Sequence, residues 1–363
     1  MATDYKLVFK DTSGAVVAQV VDFWRLSYTK KVNEPGLASV VLADDATVQG
    51  LGHKYQLEIW RRDEPNEIDW YCDFYGFFMD RERSQREAQE FQLYAPGQMT
   101  MLDWRYVLWY ANETNRSAFT TTAAETIIKT LGQYNVTGSA LTINGRMRDG
   151  EISGISIEAD GGGGNSLDWR CAWRALLREL QEIASVGGGD FDLVKTGDAA
   201  WELRWYAGQR GSDLTGSVIF SPGRGNMGNP RYRLTRSRER PVAVAGGQGV
   251  GDLRKTVVRT GTDYAADNDV ELFVQASGNR STAGLQASAD AALDKYQARY
   301  EFFFDVIQSP ACLYGKHYCV DGVVGDLVTA VYEDVETTQK ITGVTVGVYE
   351  DGRERIDVDL ETQ

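Results

Sequence analysis

The chain has 363 residues, 42% of them hydrophobic, and a formal net charge of −14 at neutral pH. This length gives room for about two to four folded modules, and no stretch approaches the roughly 18 apolar residues of a membrane-spanning helix. The acidic surplus disfavours groove-type nucleic-acid binding, which needs clustered cations to displace counterions from phosphates. We expect no secretory signal in the opening MATDYKLVFK, and four cysteines suit a reducing cytoplasm.

Residues 1–95 form the first predicted domain, and its alternating segments indicate an all-β structure. Asp11–Gly14 is a favourable hairpin turn, and Asn33–Gly36 separates the next two strands. A further strand, Tyr55–Arg61, alternates apolar and polar residues. The charged segment Asp80–Glu87 predicts a turn between two more strands.

Residues 96–212 form the second predicted domain, in which helices and strands mix. Thr122 and Glu125 have the spacing of a capping box, so a first helix is predicted from Thr122. The glycine-rich segment 160–165 is predicted to be flexible. In the strand Trp201–Tyr206, the apolar residues all fall on one face.

The strongest helical pattern of the chain predicts a second helix over Leu167–Val186, ended by Gly187–Gly189. Its apolar residues recur at helical spacing: Trp169, Trp173, Leu176, Leu177, Leu180 and Ile183. The same register stacks three arginines on the opposite face, where Glu179 and Glu182 reduce their repulsion: Arg170, Arg174 and Arg178.

Residues 213–363 form the third predicted domain, with strands, one long helix over Gly284–Tyr300 and a closing hairpin. Asp351-Gly352 is the hairpin turn, flanked by alternating apolar residues. Three carboxylates then share one face of the last strand: Asp357, Asp359 and Glu361. Gly246–Gly251 lacks the spacing of a dinucleotide or phosphate-binding loop and favours a bulge or tight turn.

Together these predictions give a β-rich α+β fold with β modules at both ends of the chain. The strand patterns of LASVVL, YQLEIWRR and EFQLYA near the start recur as DLVTAVYED, KITGVTVGVYE and RERIDVDLE near the end. We therefore expect two similar β domains to meet in space.

Residues for catalysis are scarce, and we predict no catalytic, cofactor-binding or metal-binding site and no enzymatic activity. The two histidines, His53 and His317, lie in no nucleophile or zinc-peptidase motif. Cys312, His317, Cys319 and Asp321 offer four potential zinc ligands, but their spacing matches no common zinc motif, so unliganded loop residues are the simpler interpretation.

Carboxylates and tryptophans leave a carbohydrate-binding or hydrolytic module open as an alternative. The candidate acid pairs are Glu301 with Asp305, Asp44 with Asp45, and Glu333 with Asp334. Trp104 and Trp109, in DWRYVLWY, are candidate sugar-stacking residues.

In the order of its parts, the chain resembles the tail-tip or baseplate hub proteins of long-tailed bacteriophages. NEPGLASVVLADD looks like the family's first tube-like domain, and APGQMTMLDWR resembles its junction, here Gly97, Leu102 and Arg105. LTGSVIFSPGRGNMGNPRYRLTRSRERPVAVAGGQG looks like the return into the second tube-like domain. Gly325-Asp326, in DGVVGDLVTAVYE, resembles a later landmark of that domain.

The resemblance implies two tube-like β-barrel or sandwich domains with inserted mixed α/β domains, arranged as a homotrimer. Such a trimer would form a pseudo-six-fold ring in the distal tail of the virion, made in the host cytoplasm. It would join the distal tail ring, tape measure and tip or fibre proteins, and pass DNA without specific binding. A hexameric distal tail adaptor is the nearer alternative.

Overall fold

The computed structural model describes residues 3–43, 46–85, 89–276 and 281–363. The elements of the N-terminal part are β1 (Asp4–Lys10), β2 (Val16–Val20), β3 (Arg25–Lys31), β4 (Glu34–Ala43), α1 (Ala46–Gln49), β5 (Gln56–Asp63), β6 (Ile68–Phe77), β7 (Asp80–Gln85) and β8 (Gln89–Pro96). The predicted turn at Asp11–Gly14 is confirmed, since it joins β1 to β2 and the Gly14 amide donates to the Asp11 carbonyl.

The remaining elements alternate helix and strand in the middle and return to strands at the end. Those of the middle are α2 (Thr100–Asp103), β9 (Asn112–Glu113), β10 (Arg116–Ala123), α3 (Ala124–Val136), β11 (Ile155–Ile157), β12 (Ser166–Cys171), α4 (Leu176–Gly187), β13 (Gly189–Gly197) and β14 (Ala200–Ala207). Those of the C-terminal part are β15 (Ile219–Phe220), β16 (Met227–Thr235), β17 (Val242–Gly246), β18 (Thr256–Thr260), β19 (Glu271–Gln275), α5 (Thr282–Lys295), β20 (Arg299–Val306), β21 (Leu327–Tyr332), β22 (Val335–Val348) and β23 (Glu354–Thr362).

The two ends of the chain share one antiparallel sheet. Its strand order is β21-β22-β3-β4-β8-β7, with β15 parallel to β21 at one edge and β23 paired to β22. A second antiparallel sheet has the order β2-β1-β5-β6. The predicted closing hairpin is confirmed, because Val344 lies opposite Val358 and Val346 opposite Ile356. The β-rich α+β class is also confirmed.

The charged segment Asp80–Gln85 is a strand, so the prediction of a turn there is wrong. It pairs with β8 over its whole length and lies at one edge of the shared sheet. Charged side chains suit an edge strand because they discourage pairing with other chains. Residues 86–88, where the predicted turn ended, lie outside the described residues.

The predicted helix Leu167–Val186 is two elements. Residues 166–171 form β12, in which Trp169 lies opposite Phe119, and the helix begins only at Leu176. Trp173 has φ 64°, a left-handed conformation that no α-helix contains. The face of stacked arginines therefore does not form, and Arg170 pairs with Glu113 at 2.7 Å. The predicted end is confirmed, since the C-cap Gly188 has φ 71°.

The first long helix, α3, starts two residues later than predicted and has no capping box. The carboxylate of Glu125 instead accepts hydrogen bonds from the amides of Gly161 (3.0 Å) and Gly163 (2.6 Å). The glycine-rich segment is thus fastened to the helix. In α5, the hydroxyl of Ser281 caps the helix, which ends at Lys295 instead of extending to residue 300.

Three groups of buried apolar side chains form the interior of the described chain. The first combines both ends and includes Leu7, Phe91 and Val346. The second belongs to the middle part, and the third, small one lies between α5 and the three-stranded sheet β18-β17-β19. Within the described ranges, no helix is both long enough and apolar enough to cross a bilayer.

Candidate functional site

The histidines do not assemble a catalytic or metal centre. His53 is exposed in a loop, and the Nδ1 atom of His317 accepts a hydrogen bond from the Leu313 amide at 2.9 Å. Among the residues that the structure describes, no three His, Cys, Asp or Glu side chains lie close enough to hold a metal ion.

The two cysteines near His317 are buried free thiols. Cys312 and Cys319 are 3% and 0% exposed, whereas Asp321 lies at the surface. Burial raises the pKa of the Cys312 thiol to about 11. At neutral pH this thiol is protonated, and a thiol in that state is a poor nucleophile and metal ligand.

Two of the candidate carboxylate pairs lie among the described residues, and neither forms an acid pair across a cleft. Glu301 and Asp305 share one face of β20, where Glu301 pairs with Arg233 at 2.5 Å and Asp305 accepts a hydrogen bond from Asn229 at 2.6 Å. Glu333 and its neighbour lie in the turn before β22. Asp44 and Asp45 lie outside the described residues.

The candidate sugar-stacking tryptophans pack against other side chains, with Trp109 buried and Trp104 half-buried. Trp109 is 8% exposed and stacks on Tyr134 with ring centroids 4.3 Å apart. Trp104 packs edge-on against Phe77, and the Lys54 ammonium lies over its ring. Trp109 therefore offers no open face for stacking on a sugar, and the Lys54 ammonium covers one face of the Trp104 ring.

The structure instead contains a network of buried charges, which we call the polar seam. At its centre, the carboxylate of Asp73 on β6 pairs with Lys30 and accepts from the Tyr28 hydroxyl, both on β3. The Tyr314 hydroxyl also donates to it, at 2.8 and 2.9 Å. Burial raises the pKa of the Tyr28 and Tyr314 hydroxyls well above the usual range of a tyrosine. The seam therefore joins both sheets to the C-terminal part.

A second part of the polar seam joins the four-stranded sheet β2-β1-β5-β6 to the last strand, β23. The guanidinium of Arg61, 2% exposed, makes a bidentate contact with Glu354 at 2.8 and 3.0 Å. Burial alone would lower the pKa of Arg61, but the contact with Glu354 outweighs it and raises the pKa. The Tyr5 hydroxyl donates to the same carboxylate.

A third part of the polar seam binds the middle domain to both sheets. Glu58 on β5 meets Lys10 at 3.0 Å and Lys195 of β13 at 2.9 Å. On the same strand β13, Asp190 pairs with Lys340 of β22 at 2.7 Å. The alternation of residues along this strand puts Glu58 on a polar face, but it does not show that a second domain covers that face, so this site was not predicted.

A family model, described as Siphovirus ReqiPepy6 Gp37-like protein, matches residues 7–360. The chain belongs to this family. No curated protein matches it. The resemblance to phage tail proteins predicted from the sequence is thereby confirmed.

Solved structures with this fold include three phage or prophage tail proteins. The tail protein from Neisseria meningitidis MC58 has 11% identity and a TM-score of 0.60, covering 99% of this chain and 97% of its own. The 43 kDa tail protein of prophage MuSo2 from Shewanella oneidensis has 11% identity and a TM-score of 0.57, with 98% coverage of both chains. Prophage tail protein gp18 from Listeria monocytogenes EGD-e has 9% identity and a TM-score of 0.57, covering 98% and 94%. At these identities the likeness concerns the fold alone.

The residues that carried the resemblance have structural roles in this member of the family. A Cβ atom on Gly97 would lie 1.8 Å from the Pro35 carbonyl oxygen, so only glycine fits there. Leu102 is fully buried, and Arg105 donates to the carbonyls of the loop at residues 150–151. Asp326 accepts two backbone hydrogen bonds at 2.7 Å each and fixes the start of β21.

Proposed function

We propose that this chain is a structural subunit of the distal phage tail, a hub that forms a ring between the tail tube and the tip or fibre. The observation that carries the proposal is the family match over residues 7–360. The tail-protein fold along nearly the whole chain supports it. The chemistry of the described residues supports it too, since charged groups there tie elements together instead of lining a reactive cleft.

Within this proposal, residues 1–95 and 213–363 are the two tube-like domains and residues 96–212 the inserted domain. Three copies would give six such domains around one channel, which matches a six-fold tail above and a trimeric tip below. The acidic chain would let DNA pass without binding it. The sheet and interior shared by both ends support a subunit that moves as one unit.

Mass measurement of the purified chain tests the ring directly. We expect about 121 kDa, three times the chain mass of 40.3 kDa. A mass near 242 kDa, six times the same value, would favour the hexameric adaptor instead. Gold-labelled antibodies against the chain should mark the distal end of phage tails, and label confined to the head would contradict the proposal.

Zymography on bacterial cell walls tests the absence of enzymatic activity. A cleared band that disappears on changing one carboxylate would support the hydrolytic alternative.

A further inference from the structure

One short segment of this acidic chain is strongly basic. Residues 224–240 contain a single carboxylate, Glu239, and six arginines: Arg224, Arg231, Arg233, Arg236, Arg238 and Arg240. Arg233 pairs with Glu301 at 2.5 Å and Arg236 with Glu239 at 3.0 Å. In the part of the chain that the structure describes, the other four arginines form no ion pair. The chain as a whole is rich in carboxylates, with a net charge of −14, but this segment contains only one of them.

Two of these arginines are held in place on an exposed surface. Strands β16 and β20 form a two-stranded ribbon, whose inner face packs Phe302 into the shared interior. On the outer face, the guanidinium groups of Arg231 and Arg233 lie 4.7 and 5.8 Å from the ring centre of Phe303. Stacking on an aromatic ring fixes a guanidinium before a partner arrives and so lowers the entropy cost of binding.

The last strand, β23, carries the complementary charge. Asp357, Asp359 and Glu361 are exposed on one face, as predicted, while Ile356 is buried on the other. Asp357 pairs with Arg355 at 2.9 Å, but Asp359 and Glu361 have no ion pair within the described residues. Like charges on one strand face repel each other and favour a nearby cation.

The spacing of the two charged faces matches. Arg231 and Arg233 are two residues apart on one strand, as are Asp359 and Glu361 on another. Alternate residues of a strand lie about 6.8 Å apart, so both arginines can meet both carboxylates when the strands lie alongside each other.

Within one molecule these faces do not neutralise each other. A groove of about 460 Å³ lies between the ribbon and β23, lined by Arg231 and Phe303 from one side and Asp359 and Leu360 from the other. No ion pair between described residues crosses it. Arg231, Asp359 and Glu361 are exposed, and the guanidinium side chain of Arg233 is 67% exposed although it pairs with Glu301, so a second molecule can reach both sets of charges.

We propose that Arg231 and Arg233 of one copy bind Asp359 and Glu361 of a second copy of this chain. The inference rests on the proposed function, because it assumes that copies assemble. A second copy supplies carboxylates at the matching spacing, whereas the net negative charge repels nucleic acid. Exposed ion pairs add little stability individually, so this contact mainly fixes the register and speeds association.

Charge reversal in the full chain tests the contact. Arg231→Glu with Arg233→Glu, or Asp359→Lys with Glu361→Lys, should each weaken self-association by at least about tenfold, because attraction becomes repulsion. A chain that carries all four substitutions should regain assembly, since opposite charges then meet at every contact between copies. Arg178→Glu is the matched control, an exposed arginine (73%) on α4 that should leave assembly unchanged.

Cross-linking of separately purified variants tests which residues meet. Arg231→Cys mixed with Asp359→Cys should give a disulfide-linked dimer under mild oxidation, and neither variant should do so alone. The four native cysteines are buried and do not compete.

The outcomes separate this inference from the proposed function. If both charge-reversed variants self-associate as strongly as the wild-type chain, the inference is wrong and the ring proposal stands. A wild-type chain that stays monomeric at every concentration would overturn both. Loss of binding to a duplex DNA probe in the Arg231→Glu, Arg233→Glu variant, with its assembly intact, would assign the ribbon to nucleic acid instead.

Discussion

Substitution of Asp73 tests whether its buried carboxylate holds the two ends of the chain together. Replacing Asp73 by alanine leaves the Lys30 ammonium, 10% exposed, with one hydrogen-bond acceptor among the described residues, the Gly322 carbonyl. The Tyr28 and Tyr314 hydroxyls lose their acceptor at the same time. Because an uncompensated buried charge is costly, we expect the free energy of unfolding to fall by about 3–5 kcal/mol.

Thermal and urea unfolding should report this loss. At about 2–4 °C per kcal/mol, the first unfolding transition of the Asp73→Ala variant should shift down by roughly 10 °C. Hydrogen exchange should rise in β3 and β6 above all, a local measurement that does not depend on two-state unfolding. Glu67→Ala is the control, since its side chain is 88% exposed and its ion pair with Lys316 contributes little.

A double-mutant cycle separates the contribution of the Lys30–Asp73 ion pair to stability from that of side-chain packing. Lys30→Met with Asp73→Leu removes both charges, so it should cost less than the sum of the two single changes by at least about 2 kcal/mol. If Asp73→Ala destabilises no more than Glu67→Ala, the polar seam does not hold the two ends together.

Two further predictions concern the close packing and the charges of the same region. Gly97→Ala should destabilise by more than about 2 kcal/mol in urea unfolding, because the new Cβ would lie 1.8 Å from the Pro35 carbonyl oxygen. Burial would raise the pKa of Glu58, but hydrogen bonds from Lys195 and Lys10 outweigh it and lower that pKa. A lowered folded pKa gives stability that is present above the unfolded pKa, about 4.3, and lost as the pH falls further. Glu58→Gln should therefore be less stable than wild type at pH 7, with a difference that shrinks as the pH falls below about 4.3.

Matched controls accompany both predictions. Gly216→Ala should be neutral, since no atom lies within 4 Å of the added Cβ. Equal losses in the free energy of unfolding for Gly97→Ala and Gly216→Ala would contradict the packing argument. A Glu58→Gln penalty that stays constant from pH 7 to pH 3 would contradict the pKa argument.

Local patterns in the sequence predicted those elements that local residues determine. The turns at Asp11–Gly14 and Asp351-Gly352 depend on residues within the turn, and both are present. The strand Trp201–Tyr206 buries its tryptophans on one face as expected. In each case the signal and its cause lie within about ten residues of each other.

Contacts between residues far apart in the chain determine the elements that were predicted wrongly. Ser166–Cys171 has helical periodicity but forms a strand because β10 pairs with it. Glu125 has the spacing of a capping residue but binds amides about 36 residues away, at Gly161 and Gly163. The polar seam was missed for the same reason, since Asp73 and Tyr314 are 241 residues apart.

We expect the charges of this chain to serve two separate purposes, folding and assembly, which ionic strength distinguishes. In the polar seam, the carboxylates of Glu58, Asp73 and Asp190 meet cations away from water, where dissolved salt screens them weakly. Asp359 and Glu361 face solvent, where a Debye length of about 8 Å at physiological salt shortens their reach. If copies assemble through these exposed charges, as we propose, salt that separates the copies should leave each of them folded.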